Sequence, residues 1–262
     1  MADLVLEVVK IAQDAGAEIM KIYADESQFG IEHKADSSPL TKADQRANEV
    51  ICAGLEKLDQ HYPIISEENK TVSYHDRKGY DRYWLVDPLD GTKEFIKRND
   101  EFTVNIALIE NGMPIMGIVY VPVMGTSYYA EKGKGAWKLE GGLPQKLSVK
   151  NFKKTDPNLR VVCSRSHLNE QTAAFVEKLT SPQLVSKGSS LKFLIIAEGG
   201  AELYPRLAPT MEWDTGAAQA ILEEAGGQVV QHANGKPVEY NKEDLLNPWF
   251  IAAGNGDFDL AS

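Results

Sequence analysis

Asp87 and Asp90 stand three residues apart in the stretch WLVDPLDGTKEF, residues 84–95. Asp87 closes the apolar run YWLVD, and Pro88 follows it. A proline cannot donate to a sheet ladder and fixes φ, so the spacing predicts a stiff turn there. The Leu89 carbonyl is then free to point outward, and Gly91-Thr92-Lys93 is predicted to open a short helix. Helix capping by itself explains Asp90. It does not explain Asp87, because a carboxylate that ends an apolar strand gains nothing from capping. Two carboxylates and a carbonyl are hard oxygen donors of the kind Mg²⁺ takes. The N–H groups of Gly91 and Thr92 at a helix start would face an anion. A cation held there reverses the local potential for an anionic substrate. That gives a reason for more negative charge at a strand end in a chain of net charge −10.

Other carboxylates repeat the pattern. Glu67 and Glu68 end YPIIS, Asp214 lies in MEWDTGAAQAILEEAG, and Asp44 lies in TKADQ. Each has a plain structural explanation: a solvated loop pair, an N-cap and an exposed helical carboxylate. Together, each at an element boundary, they suggest one acidic centre, although spacing does not prove that they meet. Ser189, Ser190 and Lys192 sit at a strand-to-helix turn, where hydroxyl and amide groups can meet an anion. Capping serines and a solvated lysine explain them equally well. Arg206 in YPR is a weaker candidate. The histidines at 33, 61, 75, 167 and 232 lie outside these motifs and receive no role. Cys52 and Cys163 lack CxxC spacing and read as reduced core thiols, without a zinc site.

The elements that must position these residues follow from periodicity. Helical spacing runs from Leu4 to Ile22 and again over residues 41–58, with a polar loop between them. YPIIS and RYWLVD are strands, and NKTVSYHDRKGYD between them reads as a mobile surface loop. FTVNIALIE, MPIMGIVYVP, TSYYAEKG and GKGAWKL predict an antiparallel meander, with Asn111-Gly112 as a hairpin turn. The second half alternates: strands at LRVVCS, QLVSKGSS, AELYPR, QVVQ and WFIAA, and helices at NEQTAAFVEKL, SLKFLIIAEG and DTGAAQAILEEAG. Gly226-Gly227 closes the last helix. The change of pattern near residues 145–160 predicts an α+β subdomain over 1–155 and an α/β subdomain over 156–262, in one compact unit. With pI near 5.1 and no Lys/Arg-rich run, broad nucleic-acid binding is not expected. No stretch is apolar enough for a transmembrane segment, and the start lacks a basic leader, so a cytoplasmic protein is expected. Peripheral association with an inner membrane stays open.

These stretches also resemble the signatures of a known family. DPLDGTKEF (87–95) is similar to the D-P-[ILV]-D-G-T signature of inositol-monophosphatase-like, lithium-sensitive, Mg²⁺-dependent phosphatases. SEE (66–68) resembles its GEE motif, LTKAD (40–44) its T-x-x-D element, and WDTGAA (213–218) its WDxAA motif, with Gly216 where alanine is frequent. DGTKEFIKRNDEFTVNIALIENGMPIMGIVYVP and GSSLKFLIIAEGGAELYPR resemble the CysQ-type 3′(2′),5′-bisphosphate nucleotidase branch. Asp100 departs from a glycine common after RN, and Lys187 before GSS is a second departure.

The resemblance implies an α/β (α+β layered) fold, the α-β-α-β-α sandwich of the sugar phosphatases. It implies two Mg²⁺ ions, or three with a weaker one near Glu67. Glu67, Asp87 and the Leu89 carbonyl would hold one, and Asp87, Asp90 and Asp214 the second. Thr92 and Asp44 would orient or deprotonate the attacking water. Gly91 and Thr92 amides would hold phosphoryl oxygens, with Glu67, Leu89, Asp90 and Asp214 also facing the substrate. Ser189, Ser190 and Lys192 would take a second phosphate. The implied substrate is a small nucleotide bisphosphate: adenosine 3′,5′-bisphosphate, cleaved to AMP and phosphate, with 3′-phosphoadenylyl sulfate as a second. An inositol or sugar monophosphatase with the same metals is one alternative. A catalytically silent nucleotide-binding regulator is another. Monomer and homodimer are both compatible with the sequence.

Overall fold

The computed structural model describes residues 4–34, 39–163 and 169–257. His167 and residues 35–38 of the expected polar loop lie outside the described residues. Two helices open the chain, α1 (Leu4–Tyr23) and α2 (Lys42–Leu55), with a ribbon of β1 (Glu32–His33) and β2 (Pro39–Leu40) between them. Val5, Val8, Ala12, Ala15 and Ile19 make the buried stripe of α1, and Ala43, Ala47, Ile51 and Leu55 that of α2. This is the i, i+3 and i, i+4 spacing that puts apolar residues on one face.

A seven-stranded sheet follows in chain order: β3 (Ile64–Ser66), β4 (Arg82–Asp90), β5 (Thr103–Glu110), β6 (Met113–Val121), β7 (Thr126–Glu131), β8 (Gly135–Glu140) and β9 (Leu143–Lys146). β3 and β4 are parallel, and every later pair is antiparallel. Two short helices, α3 (Tyr74–Arg77) and α4 (Thr92–Ile96), flank β4 in the chain. Asn111 and Gly112 form the β5–β6 turn with φ of 50° and 76°, the left-handed pair that Asn-Gly favours. β9 was not signalled by LPQK, which is exposed throughout.

The second half contributes β10 (Asn151–Lys153), β11 (Arg160–Cys163), α5 (Glu170–Glu177), β12 (Gln183–Ser186), α6 (Leu191–Ala197), β13 (Leu203–Arg206), α7 (Gly216–Glu224), β14 (Gln228–Gln231), β15 (Phe250–Ala253) and β16 (Asn255–Asp257). Five of these strands form a mixed sheet in the order β12-β11-β13-β15-β14, and β10 pairs with β16.

Layering follows from which face each residue presents. Trp84, Val86, Ile106, Leu108 and Ile118 pack with α1 and α2. Their neighbours Tyr83, Leu85, Ala107, Ile109 and Val119 pack with α6 and α7, as do Val162, Tyr204 and Ala252 of the second sheet. Val161, Leu203 and Ile251 turn the other way and cover Val176 of α5. The result is α-β-α-β-α. Both faces of β4 and β5 are covered, which is why they read as continuous apolar runs. α7 lies directly on the backbone of β6: a Cβ on Gly117 would stand 2.1 Å from the Ala217 carbonyl oxygen.

Two expectations need correction. β4 does not end at Pro88. It continues to Asp90, with a register shift between Asp87 and Asp90, so the proline sits in a bulge rather than a turn. The segment expected as a mobile loop contains α3, and its Arg77 is 3% exposed. The guanidinium binds residues 241–243, a contact too distant in sequence for local polarity to reveal.

Candidate active site

The bulge places Asp87 in the interior, 1% exposed, where its carboxylate accepts the Leu89 N–H at 3.0 Å. Glu67 follows β3 and is held against β4 by its N–H, which donates to the Val86 carbonyl at 3.1 Å. Asp214 ends the single turn Glu212–Asp214, and its carboxylate accepts the Met211 N–H at 2.8 Å. It thus tightens its own turn, while Thr215 is the N-cap of α7. Oxygens of Glu67, Asp87 and Asp214 lie within 4.8 Å of one another. Three elements far apart in sequence therefore bring three carboxylates to one point.

Asp90 joins them from the end of β4. It does not cap α4, because Gly91 occupies that position with φ of 95°. A Cβ on Gly91 would stand 2.9 Å from the Glu101 carbonyl oxygen, so the residue must be glycine for space as well as for conformation. The Asp90 carboxylate instead accepts the Ser190 N–H at 2.6 Å and the Asn105 amide at 3.4 Å. Burial pushes the Asp90 carboxyl up to about 6, with Lys192 pulling against it. Burial, then the Asp90 charge, pushes Asp214 up to about 8. Asp87 is raised well above the carboxylate range by burial first, then by Glu67, Asp90 and Asp214. Buried like charges this close are unfavourable alone. The donor set is all oxygen and acidic, which fits a hard divalent cation.

Thr92 and Asp44 also meet. The Thr92 hydroxyl donates to Asp44 at 3.0 Å, and the Leu89 carbonyl lies at 3.3 Å. The charged acceptor is the stronger of the two. The second Asp44 oxygen accepts both the N–H and the hydroxyl of Thr41, at 2.7 and 2.5 Å. Asp44 is 2% exposed, not the solvated helical carboxylate that its isolated position allowed. It closes a capping box at the start of α2, and burial raises its carboxyl. Thr41 had received no role, although T-x-x-D spacing is a capping signal.

Lys34 is a second residue that sequence reasoning missed. Its ammonium bridges Glu67 and Glu68, at 2.6 Å from each. Burial alone would lower its pKa, but the two carboxylates carry it above the ordinary range. Glu68 is largely buried, and burial pushes it up to about 7.

A cavity of about 400 Å³ opens beside the cluster, lined by Asp90, Gly91, Ser189, Lys192, Arg206 and Asp214 among others. Lys192 is 9% exposed, with its ammonium 5.6 Å above the Tyr204 ring. It is not a solvated lysine: burial lowers it to about 8. Ser189 has φ of 42°, and its buried hydroxyl has no partner among the described residues. The Nε of Arg206 and the hydroxyl of Thr210 in the same wall are likewise buried, with no partner among the described residues. Ser190 differs. Its N–H holds Asp90, and its hydroxyl donates to Asn105 at 2.9 Å and meets Thr103 at 2.7 Å. It braces the α6 end against β5. Asp100 takes the left-handed conformation, φ 67°, and accepts the Tyr23 hydroxyl at 2.7 Å. Aspartate tolerates that region better than most residues, so its departure from glycine is accommodated.

Residues 2–257 match the inositol monophosphatase family. The chain belongs to that family. Among its relatives, an Escherichia coli K12 protein described as 3′(2′),5′-bisphosphate nucleotidase CysQ is 47% identical over 245 residues, covering 93% of this chain and 97% of the relative. A Haemophilus influenzae protein of the same description is 35% identical, covering 99% and 96%. The crystal structure of CysQ from Bacteroides thetaiotaomicron superimposes with a TM-score of 0.85 at 44% identity, covering 97% of each chain. An extragenic suppressor protein suhB from Bartonella henselae, at 23% identity and TM-score 0.78, shares the fold over 96% of this chain and 94% of its own. The inositol monophosphatase architecture thus accounts for the five layers.

Proposed function

We propose that this chain is a Mg²⁺-dependent phosphatase that removes the 3′-phosphate of adenosine 3′,5′-bisphosphate, giving AMP and phosphate, and that also takes 3′-phosphoadenylyl sulfate. What carries the substrate assignment is near-full-length identity of 47% to a protein described as a 3′(2′),5′-bisphosphate nucleotidase. Glu67, Asp87 and the Leu89 carbonyl would hold one ion, and Asp87, Asp90 and Asp214 a second, with room for a third near Glu67. Bound there, Mg²⁺ supplies Lewis-acid activation of water and neutralises the phosphoryl charge.

The chain's own residues do the rest. The Thr92 hydroxyl donates its proton to Asp44, which leaves an oxygen lone pair to accept from the attacking water. Thr41 fixes the Asp44 carboxylate in the required orientation. The N–H groups of Gly91 and Thr92 take the phosphoryl oxygens. Lys192, Arg206 and the Ser189 hydroxyl take the second phosphate across the same cavity. Ser190 acts through Asp90, which its N–H holds. Residues 1–155 and 156–262 work as one unit, since Asp214 and the Ser189–Lys192 turn complete a site begun by β3 and β4. No helix among the described residues is long and apolar enough to cross a membrane. The same reading puts the protein in the cytoplasm, as a monomer or homodimer.

Product analysis tests the ester assignment. Adenosine 3′,5′-bisphosphate with Mg²⁺ should yield AMP bearing only the 5′-phosphate, and chelation should stop the reaction. Adenosine 3′-phosphate as the product would overturn the assignment.

A further inference from the structure

Arg77 lies in the polar stretch between β3 and β4, yet it is 3% exposed. One guanidinium nitrogen donates to the Asn241 side-chain oxygen at 2.8 Å and to the Lys242 carbonyl at 2.7 Å. Another donates to the Glu243 carbonyl at 2.9 Å. Asn241 returns a bond from its amide to the Arg77 carbonyl at 2.8 Å. Among the described residues no carboxylate pairs with Arg77: its two terminal nitrogens bond to one segment, and its buried Nε has no partner among those residues. A forked, permanently charged donor suits this; a lysine point charge does not.

The opposite side of that segment holds a buried anion. Glu212 is 0% exposed. It accepts the Asn241 N–H at 2.7 Å, the Lys242 N–H at 3.1 Å, and the Lys242 ammonium. Residues 241–243 are therefore clamped between a cation from the first sheet's approach and an anion two residues before Asp214. Further bonds fasten the strap along its length. The Glu212 N–H donates to the Leu245 carbonyl at 2.9 Å, and the Asn247 amide to the Met211 carbonyl at 2.8 Å. Met211 in turn donates its N–H to Asp214. Arg77 also leads into β4, which carries Asp87 and Asp90.

We propose that Arg77 is a positioning residue for the metal site. Through residues 241–243 and Glu212 it fixes Asp214, on the second half, relative to Asp87 on β4. This rests on the reading above that Asp87 and Asp214 share a cation. A partner outside the ligand shell typically changes metal affinity by about 10- to 100-fold when removed.

The test is Mg²⁺ binding by calorimetry on the full chain without substrate, beside Mg²⁺ titrations of activity. Arg77→Met should raise the Mg²⁺ Kd by about tenfold or more. Arg77→Lys should fall between, and turnover should recover at saturating Mg²⁺. Asn241 has φ of 65°, so Asn241→Gly keeps the backbone and removes only the side-chain bonds. It should raise Kd by a smaller factor and remains informative if Arg77→Met does not fold. Val229→Ala, a core truncation 1% exposed, should lower stability without moving Kd. Unchanged Kd in the folded Arg77 and Asn241 variants would overturn the proposal, as would an equal shift from Val229→Ala. A wild-type chain that binds no Mg²⁺ would overturn the metal reading and this inference with it.

Discussion

Asp90 sits two residues before α4, close enough for a capping role, yet the fold gives the cap to Gly91 and binds the carboxylate to Ser190 and Asn105. Its half-buried charge lies beside Asp87 and Asp214, so removing it should relieve repulsion while removing a ligand. Asp90→Asn is expected to lower turnover by roughly a thousandfold or more, with a melting temperature no lower than wild type. Unchanged turnover would contradict the two-metal reading. Thr92 tests the water-orienting pair separately. Thr92→Ser keeps the hydroxyl bonded to Asp44 and should retain most of the activity. Thr92→Val should lose roughly 100-fold or more in kcat, while Mg²⁺ affinity holds. At this scale the sequence was informative where residue type alone limits the chemistry: Glu67, Asp87 and Asp214 do converge. It was silent on Lys34, because a lysine in a polar segment carries no sign that two carboxylates 33 and 34 residues later will close on it.

At the scale of elements, the periodicity of α1, α2 and the meander was legible because burial on one or both faces leaves a regular pattern. The bulge at Pro88 was not. A missing N–H is compatible with either a turn or a bulge, and the choice is made by pairing with β5. The buried Arg77 escaped for the same reason: its partners come from residues 241–243. α7 positions Asp214 by lying on β6 with no side chain between them at Gly117. Gly117→Ala puts a methyl 2.1 Å from the Ala217 oxygen, which only a backbone shift relieves. Urea unfolding should show a loss of about 3 kcal/mol or more, at the upper end of overpacking penalties. A loss below about 0.5 kcal/mol, the range of neutral surface changes, would contradict this packing.

Across the whole molecule, the acidic centre couples stability to pH and to metal. Asp90 and Asp214 ordinarily titrate near 3.8, and the fold raises them to about 6 and about 8. A carboxyl with a raised folded pKa contributes stability below its unfolded value and loses it as pH rises through the folded one. In chelator, the melting temperature should therefore fall as pH rises from about 4 to about 8. Mg²⁺ should restore it, and by more at pH 8 than at pH 5, because metal and protons compete for the same oxygens. A melting temperature that rises across that window without metal would contradict the assignment. The layered fold and most of the acidic site could be read from the sequence. The cavity beside it could not, since Ser189, Lys192 and Arg206 face one space only after the two sheets have packed. The most direct measurement compares phosphate release from adenosine 3′,5′-bisphosphate and from inositol 1-phosphate, with and without Mg²⁺. The account predicts fast, Mg²⁺-dependent release from the nucleotide and little from the inositol ester. Preferential release from inositol 1-phosphate, or release from the nucleotide that ignores Mg²⁺, would contradict it.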